Sequence, residues 1–184
     1  RGAKGLFGWM GILPWFDENK YLFAYFISGL ILFIFGGVTG IINASYSLNS
    51  VVHNTAWMPG HFHMTVAGPV FLGIISMSLY IYSKLSGKRV FLPKLNTIIP
   101  YLWVIGMLIF SFGMSWGGLR GEPRRTNLGT SYLNPDNALY RSDWVPTTLL
   151  ALLGGIIMFI AAMMFIVIFF GTIFGKKKEE GVLE

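Results

Sequence analysis

All three histidines of the chain lie within eleven residues, in the run VVHNTAWMPGHFHMTVAG. His61 and His63 are two positions apart, so on a helix turning ~100° per residue their side chains diverge by ~200° and point to opposite faces. Two residues so placed do not share one metal ion. Each could ligate its own centre, one on either side of the helix. Neutral imidazole is a common axial ligand of haem iron, and the small neighbours Gly60, Ala67 and Gly68 would let a bulky planar group approach. The alternative is a pair of structural histidines bonded to carbonyls of adjacent helices. Spacing alone leaves the two readings level. Pro59, two residues before His61, is expected to remove a backbone hydrogen bond and tilt that turn.

His53 precedes His61 by eight positions, which puts it ~12 Å along the axis and ~80° around it if the helix is continuous. That is too far to share an iron with His61. Beside Asn54 it suits a hydrogen-bonding or charge-sensing place at a membrane rim, although on position alone a solvated loop histidine is favoured. A second constellation is GLRGEPRRTN. Arg124 and Arg125 follow a proline and present forked guanidinium groups that match carboxylates in pairs, such as the two propionates of haem. Taken alone they read as surface arginines near Glu122 or Asp136.

The elements that must position these residues are membrane helices. Of the 184 residues, 54% are hydrophobic and 12% are charged, where a soluble domain has about a quarter charged. Between Lys20 and Lys84 there is no Asp, Glu, Lys or Arg. A bilayer-crossing helix needs about 20 predominantly apolar residues, and four stretches qualify, over residues 21–44, 56–83, 95–118 and 145–174. The fold class expected is all-α, a polytopic transmembrane bundle with a single membrane domain over 1–184. Gly36, Gly37, Pro59, Pro69 and Pro100 interrupt these runs as membrane helices tolerate. Trp15, Trp57, Trp116 and Trp144 fall near the expected ends, as an aromatic belt would.

The chain has no cysteine, which excludes disulfides, thiolate metal sites and a cysteine nucleophile. It begins at Arg1 without a signal peptide and is expected to be an excerpt of a longer protein. The net charge of +6 reflects basic residues at the ends of apolar runs, not a nucleic-acid patch. Arg1, Lys4, Lys20, Lys84, Lys88, Arg89, Lys94 and Lys176 to Lys178 fall on one side of a four-span topology; only Arg120, Arg124, Arg125 and Arg141 fall on the other. The positive-inside rule then puts both termini in the cytoplasm and His53 and the arginine pair outside.

Three successive segments, RGAKGLFGWMGILPW, GGVTGIINASYSLNSVVHNTAWMPGHFH and SWGGLRGEPRRTN, resemble the catalytic subunit of the haem–copper oxygen reductases, in particular their B family. The likeness covers most of residues 1–127, and HNTAWMPGHFH is its most specific part. It implies about four spans of a subunit of approximately twelve helices in a prokaryotic plasma membrane. His61 would be the axial ligand of a high-spin haem where dioxygen is reduced to water, and His63 an axial ligand of a low-spin haem. His53 and Asn54 match positions near the high-spin propionates, and Arg124 and Arg125 match a propionate-binding pair. Copper is implied with ligands outside this stretch, because three further histidines and the second low-spin ligand have no candidates here. The partners implied are the remaining subunit I helices, a subunit II-like chain and an electron donor, which could be cytochrome c, a cupredoxin or a quinol. Proton translocation is implied too, although Asn49 stands where many B-family members have an aspartate. Two other readings are a nitric oxide reductase of the same superfamily and a haem-free transport or assembly subunit.

Overall fold

The computed structural model describes residues 7–125, 134–138, 140–175 and 177. Arg1 and Lys4 of the N-terminal basic group, Thr126 and Asn127 after the arginine pair, and Lys176 and Lys178 of the tail lie outside the described residues. Two short 3-10 segments, Gly8–Ile12 and Glu18–Lys20, lead into α1 (Tyr21–Ala44). A short α2 (Tyr46–Val52) follows, then α3 (Trp57–Phe62), a π-helical turn over His63–Ala67, and α4 (Gly68–Ser86). The bundle is completed by α5 (Pro93–Leu119) and α6 (Val145–Phe174). Among the described residues there is no strand, only two isolated bridges.

Four helical stretches are long and apolar enough to cross a membrane: Glu18–Ala44, Trp57–Ser86, Pro93–Leu119 and Val145–Phe174. The second is the continuous rod formed by α3, the π turn and α4. At 1.5 Å per residue each exceeds the ~30 Å hydrocarbon core. The chain is thus all-α and polytopic. Large apolar side chains such as Phe26, Phe33, Phe159 and Phe170 point outward, as they do where the surroundings are lipid or further helices rather than water.

Small residues set the closest packing. A Cβ on Gly113 would lie 2.7 Å from the Ala151 nitrogen, and one on Gly106 2.9 Å from the Gly154 carbonyl, so α5 and α6 meet backbone to backbone. Elsewhere on α5, Trp103 stacks on Phe71 of α4 at 4.1 Å between centroids. There Met107 lies in the core with Leu32, Met64 and Leu72.

The distortion in the histidine rod sits elsewhere than expected. Pro59 is the third residue of α3, in a first turn whose N–H groups have no intrahelical partner anyway, so it breaks nothing. The irregularity lies at His63–Ala67, immediately before Pro69, whose missing N–H cannot serve the preceding turn. The Gly68 amide donates instead to the His63 carbonyl five residues back. His53 is also not on the same helix as His61, because α2 ends at Val52 and His53 is extended (φ −62°, ψ 138°).

Candidate functional site

His61 and His63 lie near the start of the rod, each half-buried, and touch different helices. The Nδ1 of His61 is 2.8 Å from the Thr39 hydroxyl on α1. That hydroxyl donates its proton to the Gly36 carbonyl at 2.7 Å, so its oxygen is left to accept and the His61 proton must be on Nδ1. Nε2 then carries a free lone pair. The Nδ1 of His63 is 2.6 Å from the Pro59 carbonyl, which can only accept, so His63 is the same tautomer. Its ring lies 4.8 Å from Phe110 of α5, centroid to centroid. Each imidazole is therefore oriented by one nitrogen and offers the other as a ligand, the arrangement that metal-binding histidines require.

Glycines set the close approaches at His61 and at the α3–α5 contact. A Cβ on Gly40 would fall 3.3 Å from Cε1 and 4.0 Å from Nε2 of His61, against its coordinating edge. Gly60 brings the α3 backbone onto α5, where a Cβ would be 3.0 Å from Ser115 Oγ and 3.1 Å from the Ser111 carbonyl. Both imidazoles thus fit an axial-ligand role in tautomer, and at His61 the absence of a side chain on Gly40 leaves the Nε2 edge uncovered from α1. Among the described residues no three His, Cys, Asp or Glu side chains cluster to hold a metal ion.

The turn before α3 is built against the segment after α5. Ala56 N donates to the Glu122 carbonyl (2.8 Å) and Arg124 N to the Asn54 carbonyl (3.3 Å), with Thr55 and Pro123 bridged antiparallel between them. Asn54 has φ +61°, a left-handed conformation that Asn tolerates better than most residues. Its Oδ1 accepts from Arg124 Nη2 at 2.8 Å. Asn54 and Arg124 are thus brought together at the end of the bundle that holds the start of the histidine rod. Arg125, with φ +55°, and His53 are exposed beside them.

Glu122 is not a surface partner for the arginines. It is 6% exposed and accepts from the hydroxyls of Thr147 (3.1 Å) and Thr148 (2.9 Å) on α6. Trp57 Nε1 donates to Asn43 Oδ1 of α1 at 3.0 Å, so the start of the rod is held on both sides. Asn49 has its Oδ1 buried without a hydrogen-bond partner among the described residues. Thr39, the Pro59 carbonyl, Phe110 and the seating of Glu122 against α6 are the contributions the sequence alone did not single out. A polar residue among glycines in an apolar run, GGVTG, is the one signal that pointed at Thr39.

The sequence matches the family described as Cytochrome C and Quinol oxidase polypeptide I over residues 3–157. It is 36% identical over 186 residues to a cytochrome c oxidase subunit 1 of Thermus thermophilus, covering 100% of this chain and 32% of that protein. A second sequence of that name, also from Thermus thermophilus, is 41% identical over 108 residues, 58% of this chain and 97% of the other. Among solved structures, a heme-copper terminal oxidase dimer determined by cryo-EM is similar with a TM-score of 0.88 and 46% identity, over 98% of this chain and 32% of that one. The chain thus spans about a third of the length of the first of these relatives and of that structure's chain.

Proposed function

Because this chain belongs to the cytochrome c and quinol oxidase polypeptide I family, we propose that it forms the two-histidine portion of the catalytic subunit of a terminal oxidase reducing dioxygen to water. The observation that carries the proposal is the pair of imidazoles on one rod, each fixed through Nδ1 and free at Nε2, facing different helices. Haem iron, when bound, supplies the redox chemistry and the oxygen-binding centre.

His61 is the ligand of the high-spin, catalytic haem, and His63 is an axial ligand of the low-spin haem that passes electrons to it. Thr39 and the Pro59 carbonyl set the two tautomers and ring angles. At the end of the rod, Arg124 is a cation already oriented by Asn54, and Arg125 and His53 stand beside it; these four groups are the partners for propionate carboxylates. Copper and the second low-spin ligand depend on helices of the complete subunit, since the sequence has no histidine beyond these three. A subunit II-like chain, an electron donor and dioxygen complete the reaction. The basic residues flanking the spans support a topology with both ends of the chain on the cytoplasmic side, so that protons taken from that side are moved outward.

The test is a pair of difference spectra on membranes containing the complete assembly, reduced-minus-oxidised and carbon-monoxide. Two haem populations are expected, only one of which binds carbon monoxide. A single six-coordinate haem, or no Soret band, would overturn the reading and return both histidines to a structural role.

A further inference from the structure

At the end of the bundle remote from Arg124, the loop between α4 and α5 folds back onto the end of α6. Ser83 Oγ donates to the Lys88 carbonyl at 2.7 Å, Lys88 Nζ donates to the Ile173 carbonyl, and Phe91 N donates to Thr172 Oγ1 at 3.0 Å. Lys88 and Lys177 form an isolated antiparallel bridge. The Phe91 ring lies flat enough on Gly171 that a Cβ there would enter it. These ties hold open a cleft of about 380 Å³ whose walls include Arg89, Val90, Phe91, Leu92, Gly171 and Lys177. A cleft of that size falls within the range that small ligands occupy, roughly 300–1,000 Å³.

Among the described residues, the lining of the cleft has two cations and no acid. The Lys88 ammonium is engaged by the α6 carbonyl, whereas the side chains of Arg89 and Lys177 have no hydrogen-bond or ion-pair partner among the described residues. α5 begins at Pro93 beside them, so its first free N–H groups add positive partial charge at the same place. The rest of the lining is apolar and half-open: Phe91 is 42% and Leu92 46% exposed. A cationic pocket that runs into apolar surface, at the ends of two membrane-crossing helices, has the polarity profile of an amphiphile with an anionic head.

We propose that this cleft binds the phosphodiester headgroup of an anionic membrane lipid, held by Arg89 and Lys177, with Phe91 and Leu92 against the first carbons of its acyl chains. The proposal rests on the membrane-spanning character of the chain and is independent of the haem assignment. It extends a general attraction of basic segments to anionic lipid surfaces to a formed site.

Native mass spectrometry of the complete, delipidated assembly tests it, with phosphatidylglycerol and phosphatidylcholine added back in parallel and inorganic phosphate as a third probe. Wild type is expected to retain phosphatidylglycerol preferentially. The double variant Arg89→Gln/Lys177→Gln should lose that retention by about 30-fold, the effect of two cations near a charged surface. Its carbon-monoxide difference spectrum should match wild type, which reports that the assembly is folded. Lys84→Gln serves as the comparison, since Lys84 lies over the Tyr80 ring outside the cleft, and it should retain the lipid. Unchanged retention in the double variant would overturn the proposal. So would an equal loss in Lys84→Gln, which means diffuse surface charge, or release of the lipid by millimolar phosphate with no preference between the two lipids.

Discussion

The rod Trp57–Ser86 and helix α6 are each 30 residues long and both cross the bundle, yet they are built oppositely. Helix α6 is uninterrupted, has no ionisable side chain, and seats on α5 through backbone contact at Gly154. The histidine rod contains two prolines, a π turn and, near its start, His61 and His63. A π turn holds one extra residue and rotates everything beyond it by ~100° relative to an unbroken α-helix. That rotation lets α4 bury Leu72, Ile75 and Leu79 while, before it, α3 aims His61 at α1 and the first residue of the π turn, His63, packs on α5. Regular helix provides packing, and the irregular rod provides two differently directed imidazoles.

Removing the ligands breaks the comparison most completely. His61→Ala should abolish oxygen reduction and the carbon-monoxide-binding haem signal while the low-spin bands persist. His63→Ala should remove the low-spin bands and leave a haem that still binds carbon monoxide. Difference spectra of the two variants decide this: retention of both signatures in either one would sink the assignment.

The packing half of the comparison is tested at adjacent glycines. A methyl on Gly154 would meet the Phe110 backbone, whereas one on Gly155 would come no closer than 3.9 Å to the Phe110 ring. Gly154→Ala should therefore destabilise the assembly by about 1–3 kcal/mol, and Gly155→Ala should be neutral or slightly stabilising, because alanine is the better helix former. Thermal unfolding followed by light scattering or haem loss gives the order. Because Phe110 packs on the His63 ring, Gly154→Ala should also disturb the low-spin bands before the carbon-monoxide signal.

How much of this was legible from the sequence follows the same division. Periodic, apolar features were readable: four spans, and opposite faces for His61 and His63 from a two-residue spacing. The places where helix stops being regular were not. Nothing in VVHNTAWM announces that α2 ends at Val52, since the break comes from Asn54 adopting a left-handed conformation and pairing with a segment about 70 residues later. A tilt was expected at Pro59, whereas the irregularity is the π turn at His63–Ala67, because a proline's effect depends on its position in the helix, which the sequence leaves open until the first turn is known. Glu122 read as an exposed loop acid because its partners, Thr147 and Thr148, come from another span.

The turn preceding the rod offers a smaller effect. Asn54→Gly keeps the backbone conformation and loses the bond from Arg124, which should cost about 1 kcal/mol. Asn54→Ala loses the bond and forces alanine into a left-handed conformation, for an additional ~1 kcal/mol. Denaturation midpoints should rank wild type, glycine, alanine in falling order. Equal losses would mean that the left-handed geometry contributes nothing to how the rod begins.

The smallest change sharpens the comparison most, because it leaves the ligand in place and removes only what orients it. In Thr39→Val the Nδ1–H of His61 loses the oxygen 2.8 Å away, while Thr39→Ser keeps it. The isolated hydrogen bond is worth about 1 kcal/mol, too little to unfold the bundle. An imidazole whose Nδ1–H is unpaired is a weaker donor at Nε2, because the bond at Nδ1 raises ligand basicity. The iron–histidine stretching band of the reduced high-spin haem should therefore fall in frequency in the valine variant and stay at its wild-type position in the serine variant. A shift of equal size in both would assign the effect to lost packing around α1, and no shift in either would leave Thr39 without a positioning role.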